Sequence, residues 1–206
     1  MKAVIFVNGE IKDYDFVEGI VSSYDFIIAC DGGLRHCHKL NIIPDCIIGD
    51  MDSATAEILE KYKDVPRIKF PPEKDFTDLE LAIEHVKEAG ASHLEILGGF
   101  GGRLDHQIAN IYVLVQAKLP VVMRDETTRL IVMEDFCILN RSDGDLVTLL
   151  PLTSSVDGIV TEGLKYPLNE ESLQMGFARG VSNEMTGEIA SITLKSGLLL
   201  VIQTKQ

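Results

Sequence analysis

Residues 1–125 alternate between short apolar runs and amphipathic stretches, and this alternation constrains the fold more than any other feature of the chain. The runs KAVIFV (from Lys2), FIIAC (from Phe26), DCIIG (from Asp45), RIKF (from Arg67), HLEIL (from His93) and VVMRD (from Val121) read as strands. KAVIFV, FIIAC, DCIIG and VVMRD carry consecutive apolar residues, the mark of buried strands. The segments between them have helical spacing. Phe16, Val17, Ile20 and Val21 share one side of the first, and a short helix covers GLRHCHKLN from Gly33. Ser53 is placed to cap a helix over ATAEILEKY. Leu79, Ala82, Ile83 and Val86 form the stripe of TDLELAIEHVKEAG, with Gly90 as its stop, and a last helix starts near Asp105. Strand and helix in alternation predict an α/β fold: a parallel sheet with covering helices.

From about residue 126 the rhythm changes. RLIVME, FCILN, DLVTLLPL, VDGIVTEGL, EIASITL and LLLVIQT are short strand-like runs, separated by turn signals such as RSDGD and KSG. No helical stripe interrupts them. This half is predicted to be antiparallel, an all-β sandwich or small barrel. The expected division is 1–125 for an α/β domain and 126–206 for the β domain, with the boundary between residues 124 and 130.

Composition limits the partners. The 206 residues are 46% hydrophobic and 25% charged, enough apolar material for a sizeable core. A formal net charge of −13 argues against nucleic acid, whose phosphates attract Lys and Arg, and against an anionic membrane surface. ATP stays open, because a bound divalent cation reverses the local sign. Cys30, Cys37, Cys46 and Cys137 make no C-x-x-C pair, and no apolar run approaches the roughly 20 residues of a membrane span. With no secretory-signal pattern at Met1, a reduced, cytoplasmic protein is expected.

The third strand ends in the sequence GDMDS, placing Asp50 and Asp52 where a parallel strand runs out into its loop. In open α/β sheets ligands collect outside the carboxyl ends of the strands. Asp31 follows FIIAC, Asp75 and Asp78 follow RIKF, and Asp105 follows HLEIL, so six acids are expected to converge on one rim. A hard divalent cation such as Mg2+, which takes carboxylate and phosphate oxygens, is the simplest compensation. Side chains i and i+2 share one side of an extended chain, so Asp50 and Asp52 are expected to reach one ion. The bland reading of an isolated D-x-D is a helix cap or a solvated turn.

The second unusual stretch is GGFGGRLDH, Gly98 to His106. Its glycines, among them Gly99 and Gly102, let backbone approach a ligand closely, and the loop leads into a helix N-terminus, an anion site. Arg103 adds a fork suited to phosphate oxygens. The alternative is a flexible loop whose helix is capped by Asp105. The dinucleotide fingerprint fails, since its third glycine position falls on Leu104, and no Gly-Lys pair exists for a Walker A loop. In CDGGLRHCHK, Asp31 and Gly32-Gly33 make a tight strand-to-helix turn. His36, Cys37 and His38 are neighbours about 100° apart on a helix, so they do not converge on a zinc ion. No G-x-S-x-G nucleophile elbow is present.

In this order and spacing, CDGG, PDCIIGDMDS, KDFTD and GGFGGRLDH resemble the thiamine pyrophosphokinases, as does SNE at Ser182–Glu184. The resemblance covers essentially the whole chain. It implies an N-terminal α/β domain and a C-terminal β-sandwich, with thiamine and ATP converted to thiamine diphosphate and AMP with magnesium. It also implies a homodimer with active sites shared between subunits. Carried over by motif, Asp50, Asp52 and Asp78 would hold magnesium. Asp31, Gly32, Asp75, Thr77, Gly99, Gly102, Arg103 and Asp105 would lie along the nucleotide and thiamine cleft, and Ser182 and Asn183 in the thiamine pocket. The chain has no Trp, whereas animal members place one near the thiamine rings, so this chain is closer to bacterial members.

The residues suit that chemistry on their own terms. A diphosphoryl transfer needs positioning and charge stabilisation more than covalent help. An acidic rim also suits thiamine, whose thiazolium is a fixed cation. A metal-dependent phosphohydrolase or nucleotide-sugar transferase using the D-x-D pair is the rival enzyme, and a nucleotide- or thiamine-sensing module the non-enzyme alternative.

Overall fold

The computed structural model describes residues 1–52, 54–68 and 76–206. It divides into two compact units, Met1–Glu126 and Thr127–Gln206.

The first unit follows the predicted alternation. Its elements are β1 (Lys2–Phe6), α1 (Tyr14–Val21), β2 (Phe26–Cys30), a 3-10 turn (Asp31–Gly33), α2 (Leu34–Lys39), β3 (Cys46–Ile48) and α3 (Ala56–Lys61). β4 (Arg67–Ile68), α4 (Asp78–Glu88), β5 (His93–Leu97), α5 (Leu104–Gln116) and β6 (Val121–Arg124) complete it. Within this unit the strand order is β4-β3-β2-β1-β5-β6, and every pair is parallel. The chain builds outward from β1 to β4, then returns to the other side of β1 with β5. That reversal makes the carboxyl ends of β1 and β5 the switch point of the sheet, where such folds hold ligands. Val4, Phe6, Ala29, Ile47 and Leu97 are buried in the core beneath it.

Local chemistry sets the helix starts. Asp13 caps α1 by accepting from the Phe16 amide, and Thr77 and Glu80 form a full capping box on α4. The cap of α3 is Thr55, whose hydroxyl accepts from the Ile58 amide, and not the expected Ser53, which lies outside the described residues. Lys69, Phe70, the PPEK segment and Asp75 lie outside them too.

The second unit is antiparallel. It contains β7 (Thr128–Met133), β8 (Phe136–Asn140), β9 (Leu146–Pro151), β10 (Ser155–Glu162), β11 (Glu171–Gln174), β12 (Asn183–Glu184), β13 (Ile189–Thr193) and β14 (Leu199–Thr204). One layer runs β12-β9-β14-β7 and the other β11-β10-β13-β8. Alternate residues of β9 and β13 turn inward, so Val147, Leu149, Ala190 and Ile192 meet Val156, Ile159 and Val201 in a sandwich core. The strands β11 and β12 were not expected from the sequence. ESLQ has one buried apolar residue, Leu173, and Asn183–Glu184 is too short and polar to show a period. No helix among the described residues is long and apolar enough to cross a membrane.

Candidate active site

Because β2 and β3 are parallel neighbours, with Cys30 opposite Ile48, their following loops emerge at the same edge. Asp31 leaves β2 with a φ of 42°, and Gly49 leaves β3 with a φ of 128°. A side chain at Gly49 would stand 3.1 Å from the Asp31 Cβ, so the two loops touch. Met51 is buried and left-handed, with a φ of 64°. Its inward turn throws Asp50 and Asp52 outward, and the Asp52 amide donates to Asp50 Oδ1 at 3.1 Å. The pair therefore converges through a tight turn and not through the expected extended chain.

Ligand oxygens of Asp31, Asp50 and Asp52 lie within 4.8 Å of one another. Three carboxylates so close make a donor set suited to a hard divalent cation, with room for water and phosphate oxygens. Among the described residues the six acids do not all converge. Asp78 is outside this trio, at the first position of α4, yet its carbonyl accepts from Cys30 Sγ at 3.8 Å, one residue from Asp31. The Thr77 hydroxyl is occupied by Glu80, at 2.9 Å to its carboxylate and 3.2 Å from its amide. It sets where α4, and so Asp78, begins.

At the switch point the segment Val7–Glu10 continues past β1 as a strap alongside the glycine loop. The amides of Val7, Gly9 and Glu10 donate to the carbonyls of Leu97, Gly98 and Phe100 at 2.9, 2.7 and 3.0 Å. From the other side, Asn110 of α5 donates to the Gly99 carbonyl at 3.0 Å. Gly98, Gly101 and Gly102 have φ values of 71°, 79° and 72°, which side chains rarely adopt. Gly99 is required by packing, since a Cβ there would meet Met123 Sδ at 2.3 Å. The carbonyls of the loop are thus tied into the protein. Asn8 lies across the other rim, its side-chain oxygen 2.2 Å from where a Cβ at Gly32 would sit.

Arg103 is the N-cap residue of α5 but makes no side-chain cap bond, whereas Asp105 Oδ1 accepts from the first-turn amide of His106 at 3.0 Å. Arg103 instead grips Asp105 with two bonds, Nε to Oδ1 at 3.1 Å and Nη2 to Oδ2 at 2.5 Å. The bond to Asp105 raises the Arg103 pKa, and the bond from Arg103 lowers that of Asp105. Both side chains are exposed, so the fork is open to exchange its carboxylate for a phosphate.

Sequence reasoning passed over Asn8, Gly9, Arg35 and Tyr14, and read His36 only as a rejected zinc ligand. Arg35 Nη2 donates to the carbonyls of Asn8 and Gly9 at 2.8 and 2.9 Å. His36 is buried, with Nε2 2.9 Å from the Gly9 carbonyl and Nδ1 2.7 Å from the Tyr14 hydroxyl. The available signal was Asn8-Gly9 immediately after the first strand.

In the β unit, Ser182 sits at a φ of 61°, its amide bonded to Thr148 Oγ1 at 3.1 Å. Asn183 was expected in the thiamine pocket. Its side-chain amide is committed to the backbone of Tyr166, accepting from its N–H at 3.0 Å and donating to its carbonyl at 2.7 Å. Tyr166 is held this way with its side chain 61% exposed at a cavity of about 140 Å³, lined also by Leu149, Pro167, Arg179 and Val181. Lys165 Nζ stands 5.6 Å from the centre of the Tyr166 ring, so that face already meets a cation.

A parallel α/β unit with an acid cluster and a glycine loop at its carboxyl edge, followed by an antiparallel sandwich, defines an α/β-plus-β-sandwich class of protein. The family model for the thiamin pyrophosphokinase catalytic domain matches residues 17–123, and that for the thiamin pyrophosphokinase vitamin B1 binding domain matches residues 136–199. The chain belongs to the thiamin pyrophosphokinase family. It is 26% identical to a thiamine pyrophosphokinase of Bacillus subtilis (strain 168) over 184 residues, 86% of each protein. It is 28% identical to thiamine pyrophosphokinase 2 of Arabidopsis thaliana over 185 residues, 79% of this chain and 66% of that protein. The crystal structure of the Bacillus subtilis enzyme superposes with a TM-score of 0.90 at 22% identity, covering 100% of both chains. That of Geobacillus thermodenitrificans thiamin pyrophosphokinase gives 0.88 at 25% identity, covering 100% of this chain and 98% of that one.

Proposed function

We propose that this chain is a thiamine diphosphokinase, transferring the diphosphoryl group of ATP to thiamine in the synthesis of thiamine diphosphate. The observation that carries the reading is the trio of Asp31, Asp50 and Asp52 at the strand ends, within a chain of this family. The thiamine hydroxyl oxygen forms a bond to the β-phosphorus of ATP. The bond from that phosphorus to the bridging oxygen breaks, and the oxygen leaves with AMP. The hydroxyl proton passes to a nearby carboxylate.

Asp31, Asp50 and Asp52 would hold Mg2+, and the family motif adds Asp78, at the first position of α4, as a further ligand. Magnesium would neutralise phosphate charge during the transfer. The chain's own groups do the rest. The glycine loop holds the phosphates against the switch point, and Arg103 moves from Asp105 to the charge that develops on them. In the β unit, Ser182 and the Tyr166 ring, steadied by Asn183, receive the aminopyrimidine and the thiazolium cation. Tyr166 takes the place of the missing Trp.

A homodimer with shared sites belongs to the same reading. Leu104, Ile108, Tyr112 and Val115 of α5 lie at helical spacing and are 70%, 44%, 65% and 37% exposed, an apolar stripe that a second copy would cover. Four buried free cysteines fit a reducing, cytoplasmic setting. The test is incubation with ATP, thiamine and Mg2+. AMP and thiamine diphosphate in equal amounts are expected; ADP or free phosphate as the product would overturn the assignment.

A further inference from the structure

We propose that His36 is a positioning residue for the nucleotide, clamping the strap Val7–Glu10 so that the strap in turn sets the glycine loop. The inference rests on the reading that this loop receives the phosphates of ATP.

His36 is 2% exposed, and a buried imidazole is costly unless its nitrogens are bonded. Both are. The Gly9 carbonyl can only accept, so Nε2 carries the proton at 2.9 Å from it, and Nδ1 accepts from the Tyr14 hydroxyl at 2.7 Å. The arrangement selects one neutral tautomer. Burial first, then the Arg35 charge, lower the pKa of His36 to about 4, which keeps the ring neutral near pH 7.

The bond has leverage because of what lies on the other side of the same peptide. The Gly9 carbonyl and the Glu10 amide belong to one planar unit. His36 and Arg35 hold its oxygen, while its N–H donates to the Phe100 carbonyl at 3.0 Å. The preceding amide, that of Gly9, donates to Gly98 at 2.7 Å. Rotation of this peptide would break the anchor at Phe100, and the anchor at Gly98 sits on the peptide joined to it through the Gly9 Cα. No side chain buffers the contact, since a Cβ at Gly9 would lie 2.2 Å from both the Gly98 and Phe100 oxygens. The ring is itself close to the loop, with Nε2 3.4 Å from the position of a Cβ at Gly98. Arg35 approaches from an exposed position, whereas His36 supports the peptide from within the core.

The test compares His36→Leu, which removes the donor and keeps apolar bulk, with His36→Gln, whose amide can donate to Gly9. The measurements are steady-state AMP formation and direct binding of a fluorescent ATP analogue with Mg2+. His36→Leu is expected to raise KM for ATP and the analogue's Kd about tenfold, with KM for thiamine unchanged, and His36→Gln to recover most of that loss. A purely structural role would lower the melting temperature of both variants and leave KM for ATP alone, and that result overturns the proposal. If His36→Leu does not fold, Tyr14→Phe decides. Loss of its hydroxyl frees the tautomer and should raise KM for ATP about threefold; an unchanged KM refutes the relay. If wild type binds the analogue but forms no AMP, the functional reading fails, and the binding series still judges the clamp.

Discussion

Replacing Gly9 by alanine tests how tightly the strap and the glycine loop are built against each other. The new Cβ would lie 2.2 Å from the carbonyl oxygens of Gly98 and Phe100, so each must retreat about 1.2 Å to reach a 3.4 Å contact. The two bonds that join these partners, at 2.7 and 3.0 Å, then lengthen beyond hydrogen-bonding range. At about 1 kcal/mol each, the loss is about 2 kcal/mol, or about 4–8 °C in melting temperature for a chain of this size. A misplacement of ~1 Å at a phosphate cradle costs about 100-fold in rate. Gly19 is the control. It lies inside α1 with nothing within 4 Å of its would-be Cβ, so Gly19→Ala should stabilise by about 1 kcal/mol through helix propensity and leave turnover alone. Thermal unfolding and AMP formation measure both. If Gly9→Ala matched wild type in melting temperature and in kcat/KM for ATP, the loop would be free to move aside and the account of the strap would be wrong.

Asp52→Asn removes a charge from the carboxylate trio at nearly constant volume, so turnover should fall at least about 100-fold while circular dichroism stays native, by the loss of a charged metal ligand; near-normal turnover at saturating Mg2+ would sink the metal site. Tyr166→Ala should raise KM for thiamine about tenfold, the scale of about 1.4 kcal/mol for an aromatic–cation contact, with KM for ATP unchanged. Tyr166→Phe should behave as wild type, and an effect of the alanine variant on ATP alone would remove Tyr166 from the thiamine pocket. The folded-state pKa of His36, about 4, lies below the ordinary value of 6.5, so its neutral form favours folding. Its contribution is therefore full above about pH 6.5 and is lost as pH falls toward 4, on the order of 3 kcal/mol, with Tyr14, Arg35 and Lys39 as the titratable groups around it. Urea unfolding across that window should show a shallower decline for His36→Gln than for wild type, and equal slopes would contradict the assignment.

The sequence alone determined the elements other than β11 and β12, and the edge at which chemistry collects. Apolar runs such as FIIAC and the stripe Leu79, Ala82, Ile83 and Val86 are local patterns, and burial on both faces of a strand or one face of a helix is written into neighbouring residues. Parallel strands then put Asp31, Asp50 and Arg103 at one edge without any knowledge of which strand lies beside which. The ordered motifs carried the family.

What only the tertiary structure decided depends on partners far apart in the chain. Strand order is a choice among connections that have the same local pattern, so the switch point between β1 and β5, and with it the strap at Gly9, was invisible. Asp31 joined Asp50 and Asp52 because β2 and β3 are neighbours and Met51 turns left-handed, a backbone state that a methionine does not announce. Asn183 was expected to face a ligand, but a polar side chain bonds to whatever backbone the fold brings near, and β12 brought it to Tyr166. From the sequence His36 was only one of three helix neighbours that do not converge on a metal ion. Its role was set by a carbonyl 27 positions earlier, through a contact that no local periodicity encodes.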